Sequence, residues 1–265
     1  MNPPSLDILY EDNHLLVLNK PAGLPTMGTP GGRPTLLTLA KEDVKRRYAK
    51  PGNVYLGVVS RLDAPVSGVV LLARTSKAAA RLTKQFHSRT VEKSYWAVVE
   101  GVLEPPTGRF VDWLAHDDRH RRMHIVGPTL PGAREARLSY RRLGLVAQPP
   151  PAGPEFVAQP PPALQIGQHG RGRPCHTTAE ARPATWLQIE LETGRKHQIR
   201  LQFAHHGHPI IGDRKYGSRE LFAAGIALHA RRLVISHPTT AARLEFEASP
   251  PYTWQQFGIP LTPAP

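Results

Sequence analysis

GVVSRLDAPVSGVVLLART, residues 57–75, reads as an apolar run, a polar turn and a second apolar run. The pattern predicts two strands joined by a turn, with Pro65 and Gly68 as turn formers. Arg61, Leu62 and Asp63 lie in that turn, so the Asp63 carboxylate is expected on a constrained loop over a buried sheet. A carboxylate held there can serve as a nucleophile or as an acid/base group. It can equally do no more than cap the turn through its own backbone.

Working outward, ILYEDNHLLVLNKPAG (8–23) predicts two strands around a polar turn, stopped by Pro21 and Gly23. TLLTLAKEDVKRRYAK (35–50) places Leu37, Leu39, Val44 and Tyr48 near helical spacing. From Ser76, a second helix is expected with Ala78, Leu82 and Phe86 on its apolar side. SYWAVVEG (94–101), GRFVDWLA (108–115), EARLSYRRL (135–143) and TWLQIELE (185–192) follow as strands. GRKHQIRLQFAHHG (194–207) reads as a helix from His197 that stops at Gly207, and two more strands close the chain. Strands outnumber helices and succeed one another as hairpins, which makes α+β the expected class.

Residues 146–183 are rich in Pro, Gln and Gly, and VAQPPPA occurs there twice, from Val146 and from Val157. Such a stretch buries too little apolar surface to offset its ordering entropy, so it is expected to be a flexible insertion between two strands of one catalytic domain spanning 1–265.

Composition narrows the function. Lys and Arg total 34 against 21 acidic residues, a formal charge of +13. That surplus favours polyanions, because each neutralised phosphate releases counterions. Apolar runs are too short for a membrane helix, and the N-terminus lacks a basic leader followed by an apolar run. With Cys175 as the single cysteine, a disulfide or thiolate zinc site is not expected, and the chain reads as soluble and cytoplasmic. No phosphate-binding glycine loop indicates a nucleotide cofactor.

Metal is not expected either. His205, His206 and His208 lack neighbouring acids or thiols, and His116, Asp117, Asp118 and His120 are interleaved with repelling cations at Arg119, Arg121 and Arg122. After Gly194, a burst of donors (Arg195, Lys196, His197, Gln198) opens a helix, and Arg200 follows one turn on. Arg195 and Arg200 can bind phosphate, or one of them can pair with a carboxylate and keep it ionised.

In order, these segments resemble RluA-type pseudouridine synthases along most of the chain. ILYEDNHLLVLNKPAGL looks like that family's first motif and SRLDAPVSGVVLLART like its catalytic motif. EKSYWAVVEG is similar to its tyrosine motif, TGRKHQIRLQFAHHGHPIIGDRKYG to its arginine motif, and LHARRLVISHP to its closing strand. The resemblance implies a pseudouridine synthase fold: a mixed, mostly antiparallel sheet with flanking helices and a central RNA cleft.

It further implies that Asp63 is the catalytic residue, that Tyr95 contacts the target uracil, and that Arg200 salt-bridges the carboxylate. Arg61 would enter the RNA stack where the target base has left. Arg195, Lys196, His197, Arg121 and Arg122 are expected to bind RNA, and no cofactor is implied. Ribosomal or transfer RNA would be the partner of a monomer. The first motif starts at Ile8, so the form implied is the stand-alone one without an S4 domain. Ser60 and Val66 depart from the family's usual His and Thr, which puts turn hydrogen bonds or RNA contacts in doubt. A non-catalytic RNA-binding protein of the same fold is the main alternative. A glycosidic hydrolase is the second, and it would need another acid beside Asp63.

Overall fold

The computed structural model describes residues 6–28, 32–117, 122–148, 182–223 and 225–261. A single 11-stranded sheet runs through them in the order β1-β2-β4-β10-β5-β9-β8-β6-β7, with β3 pairing β4 and β11 pairing β10. The strands are β1 Asp7–Glu11, β2 Leu15–Lys20, β3 Gly57–Val58, β4 Ser67–Ala73, β5 Glu92–Glu100, β6 Thr107–Asp117, β7 Arg122–Val126, β8 Arg134–Gln148, β9 Arg182–Leu191, β10 Leu228–Ser236 and β11 Arg243–Glu247. Three helices accompany them: α1 Leu36–Arg47, α2 Ser76–His87 and α3 Gln198–His205. Every pairing is antiparallel except β4 with β10. The expected α+β class, mixed and mostly antiparallel, is the one observed.

β2 and β4 are apolar at nearly every position because both faces of the sheet are covered there. Leu15, Val17, Val69 and Leu71 pack on the side of Ala78 and Leu82 of α2. Leu16, Leu18, Val70 and Leu72 pack on the side of Leu36, Ala40 and Val44 of α1. Thr35 caps α1 in a reciprocal box with Thr38, and Thr75 caps α2 by accepting from the Ala78 amide.

Three sequence expectations need correction. In α1 the fully buried positions are Leu36, Ala40 and Val44, while Leu37 is only partly buried against the same cluster and Leu39 is half-buried. Tyr48 is 48% exposed, and its hydroxyl donates to Glu11. The run before Ser60 forms only the two residues of β3. Strand pairing also extends into both ends of the expected insertion, with Val146 opposite Ala184 and Gln148 opposite Arg182. The remainder of that stretch, 149–181, lies outside the described residues.

The parallel seam between β4 and β10 is short, with His229 opposite Ser67 and Ala230 opposite Gly68. Gly68 sits at φ +116, and a Cβ there would lie 2.3 Å from the Ala230 carbonyl oxygen. Only glycine meets both conditions. Gly68→Ala is therefore expected to cost roughly 2–4 kcal/mol, combining overpacking with backbone strain. Urea unfolding within 0.5 kcal/mol of wild type, to take a rough limit for a neutral surface change, would contradict this view of the seam.

Beside it, His229 is fully buried. Its Nε2 lies 2.9 Å from the Ala248 carbonyl oxygen, so it must carry the proton and donate. Nδ1 then accepts from the Ser67 hydroxyl at 2.9 Å. Burial, with the nearby Arg231 charge opposing the carbonyl bond, pushes His229 down to about 4. The unfolded ring protonates near its ordinary 6.5. The stability this histidine contributes is therefore complete above about 6.5 and lost as pH falls towards 4. Equilibrium unfolding should show a falling limb in that window, made shallower by about one proton in His229→Asn. An identical limb in the variant would assign the acid sensitivity elsewhere.

Candidate active site

The turn before β4 is held from two sides. From the loop after β2, the Thr26 hydroxyl donates to the Leu62 carbonyl and accepts from the Leu62 amide, and the Gly23 amide donates to the Ala64 carbonyl. From the other side, the Ile226 amide donates to the Pro65 carbonyl. Gly225 allows that approach, since a Cβ on it would lie 2.4 Å from the Pro65 oxygen. Within the turn, the Val66 amide donates to the Asp63 carbonyl.

Lys20 is the deepest support. Its side chain is fully buried, and Nζ donates to the carbonyls of Pro21, Leu24 and Ala64 at 2.7–3.1 Å. Burial pushes the ammonium down to about 7 while the Asp63 charge pulls it back up. Three carbonyl acceptors use three donors that only the charged form possesses, so the geometry favours the ammonium.

The Asp63 carboxylate faces Arg200. Arg200 Nη1 donates to Asp63 Oδ2 at 2.8 Å. Nε and Nη2 of the same guanidinium donate to Asp213 Oδ2 and Oδ1, at 2.6 and 2.8 Å. Asp213 is 1% exposed and Arg200 5%, so the fork to Asp213 fixes the guanidinium and leaves one edge for Asp63. The Tyr216 ring packs 5.1 Å from the Arg200 guanidinium carbon. Despite burial, the two carboxylates raise the Arg200 pKa further above its ordinary value.

His197 precedes α3 in the left-handed region, at φ 57. Its Nε2 is 3.7 Å from Asp63 Oδ1, and its Nδ1 is 2.6 Å from the Tyr216 hydroxyl. The Met123 backbone amide also bonds the Tyr216 oxygen. That leaves the hydroxyl proton for His197 Nδ1 and puts the ring proton on Nε2, facing Asp63. Burial, aided by Arg200, Lys215 and Lys196 and opposed by Asp63, brings His197 down to about 4. At neutral pH it is an uncharged donor.

Asp63, Tyr95, Arg61, Lys93, Arg195, Lys196 and His197 line one cavity of about 470 Å³, a size suited to a small organic ligand. Tyr95 is half-buried on β5, and burial first, then the Asp63 charge, raises its hydroxyl further above the ordinary phenol value. Arg61 is exposed at the rim and bonds no described residue.

Of the residues singled out in the sequence, the fold thus gathers Asp63, Tyr95, Arg200, Arg61, Arg195, Lys196 and His197. Arg122 is exposed on β7 and does not line this cavity, while Arg121 lies outside the described residues. Sequence reasoning missed Lys20, Asp213 and Tyr216. Ser60 and Val66 are also explained: the Ser60 hydroxyl accepts the Leu71 amide at 2.9 Å, and Val66 is buried in the core. Neither side chain bonds the Asp63 carboxylate.

Among the described residues no three potential metal ligands cluster, and no helix is long and apolar enough to cross a membrane.

A family model described as RNA pseudouridylate synthase matches residues 14–205. An uncharacterized RNA pseudouridine synthase of Synechocystis is 34% identical over 248 residues, covering 89% of this chain and 62% of that protein. Ribosomal large subunit pseudouridine synthase D of Xylella fastidiosa is 35% identical, covering 93% and 66%. This chain spans less than two thirds of the length of either relative. tRNA pseudouridine synthase C of Yersinia pestis is 31% identical, covering 96% and 91%. Among solved structures, human RNA pseudouridylate synthase domain containing 1 aligns with a TM-score of 0.68 over 97% of this chain and 89% of its own. At 23% identity that likeness speaks for the fold alone.

Proposed function

Because this chain belongs to the RluA-type RNA pseudouridine synthases, we propose that it isomerises specific uridines of ribosomal or transfer RNA to pseudouridine, with Asp63 as the reacting carboxylate. The observation that carries this reading is Asp63 facing a nucleoside-sized cavity while one edge of a buried, doubly paired guanidinium holds it. The reaction breaks the bond from uracil N1 to the sugar, turns the base, and joins C5 to the same sugar carbon as C5 loses its proton. Nothing is oxidised or reduced.

Asp63 either attacks the sugar carbon or removes a sugar proton to give a glycal. Arg200 holds Asp63 Oδ2 in place for either route, while Oδ1 faces the uncharged His197 ring at 3.7 Å. Tyr95 presents its ring to the uracil. Burial and the Asp63 charge raise its hydroxyl further above the ordinary phenol value. Reaching a stacked uridine requires flipping it out, at a cost of a few kcal/mol. Arg61, unpaired at the rim, has the planar head to fill the gap.

The hydrolase reading fails on Asp213. This second acid is close enough to share a guanidinium with Asp63, but it is buried and both its oxygens are bonded to Arg200. It can neither protonate a leaving group nor activate water. A binding-only protein has no use for a carboxylate so positioned. We place the protein in the cytoplasm as a monomer acting on RNA.

Pseudouridine mapping of total RNA, from cells with and without the protein, tests the assignment. One or a few sites should vanish and return with wild type but not with Asp63→Ala. An unchanged map would turn the reading towards an RNA-binding protein.

A further inference from the structure

Arg89 occupies a backbone position that favours glycine. It follows α2 at φ 59, where the Ser88 amide donates to Lys84, and the Thr90 amide reaches back to Gln85. This is the left-handed closure of a helix end, at which a side chain costs about 1 kcal/mol relative to Gly. Four residues on, Lys93 lies on β5 two positions before Tyr95, hence on the same face and about 6–7 Å along the strand. That step is the reach of a single nucleotide.

Lys93 lines the same cavity as Asp63, and its Nζ lies 3.8 Å from where a Cβ on Gly194 would stand. Neither Arg89 nor Lys93 has an acidic partner among the described residues. Next to Gly194, Arg195 donates Nε to the Glu135 carbonyl at 3.0 Å, which fixes the side chain and leaves its outer nitrogens free. Arg89 repels both Lys93 and Arg195, and Arg134 adds to the repulsion on Arg195. Burial first, then these charges, holds Lys93 and Arg195 below their ordinary values, with Glu135 acting the other way on Arg195. Lys93 and Arg195 therefore meet at one end of the catalytic cavity, with Arg89 near enough to act on both and Glu135 the one opposing charge, on the Arg195 side.

We propose that Arg89, Lys93 and Arg195 form a seat for one backbone phosphate of the RNA, a nucleotide away from the uridine that enters the Asp63 cavity. This rests on the proposed function and adds the direction in which the strand leaves the site. A bound phosphodiester relieves the mutual repulsion, and the left-handed Arg89 is tolerated because its guanidinium is needed there.

Arg89→Gly separates charge from structure, since it removes the cation while giving the backbone its preferred residue. The probe is a fluorescein-labelled stem–loop RNA with uridines in the loop, bound by proteins carrying Asp63→Asn so that none turns over. Melting temperature should stay equal or rise. The fall in affinity between 50 and 200 mM salt should be about threefold smaller than without Arg89→Gly, as expected for one lost phosphate contact. Lys93→Gln should reduce the salt dependence similarly. Lys45→Gln, which removes an exposed cation from α1, should change it little. If Arg89→Gly and Lys93→Gln match Lys45→Gln, the seat does not exist, whatever the pseudouridine assay says. Lack of pseudouridine formation by wild type would instead overturn the catalytic reading and leave the salt comparison standing.

Discussion

Asp63→Asn is expected to bind RNA as wild type does and to form pseudouridine on the order of 10⁴-fold more slowly or not at all. Loss of a reacting nucleophile costs that much or more in other enzymes. Asparagine keeps the shape of the side chain, so the turn held by Lys20, Thr26, Gly23 and Ile226 stays intact. The amide cannot attack the sugar carbon or accept a sugar proton. RNA affinity, carried by cations around the cavity, should change less than tenfold, an allowance of about 1.4 kcal/mol. Product formation by Asp63→Asn at a tenth of the wild-type rate or more would remove Asp63 from the chemistry.

Arg200→Ala should be the most destabilising single change at this site, by about 3–5 kcal/mol, because it strands the Asp213 carboxylate in the core. Loss of folding would mask any catalytic role. Arg200→Met combined with Asp213→Asn removes the stranded charge and should recover more than half of the lost stability. Asp63 in that double variant has lost the donor on its Oδ2, so its rate should remain at least about 100-fold below wild type. Urea unfolding and initial rates read the two effects separately. A stable double variant with wild-type rate would confine Arg200 to a structural role.

Much of this was legible in the sequence because local pattern carried it. The apolar runs around residues 60–66 marked both strands, although the shortness of β3 depended on where the sheet ends. Asp63, Tyr95 and Arg200 stand in recognisable local segments. Asp213 and Tyr216 did not announce themselves, since their importance comes from returning to Arg200 across the α3 turn. Nothing local marks Lys20, a cation at the end of β2 before Pro21. Only the fold reveals that three carbonyls from the first loop and the Asp63 turn converge on it. In α1 the spacing of Leu37, Leu39, Val44 and Tyr48 marked a helix, but the most buried row is Leu36, Ala40 and Val44, four residues apart. Arg122 was grouped with the binding cations by charge alone, and charge does not say how far from the cavity a residue stands.

The most direct test is tritium release from transfer and ribosomal RNA transcripts labelled at uracil C5, incubated with the purified protein. Joining C5 to the sugar expels the label as the C5–H bond is lost, so pseudouridine formation predicts release into water. Nuclease digestion should yield a matching amount of a nucleoside with the mass of uridine. Absence of release from both RNA classes, by protein that binds them, would contradict the account.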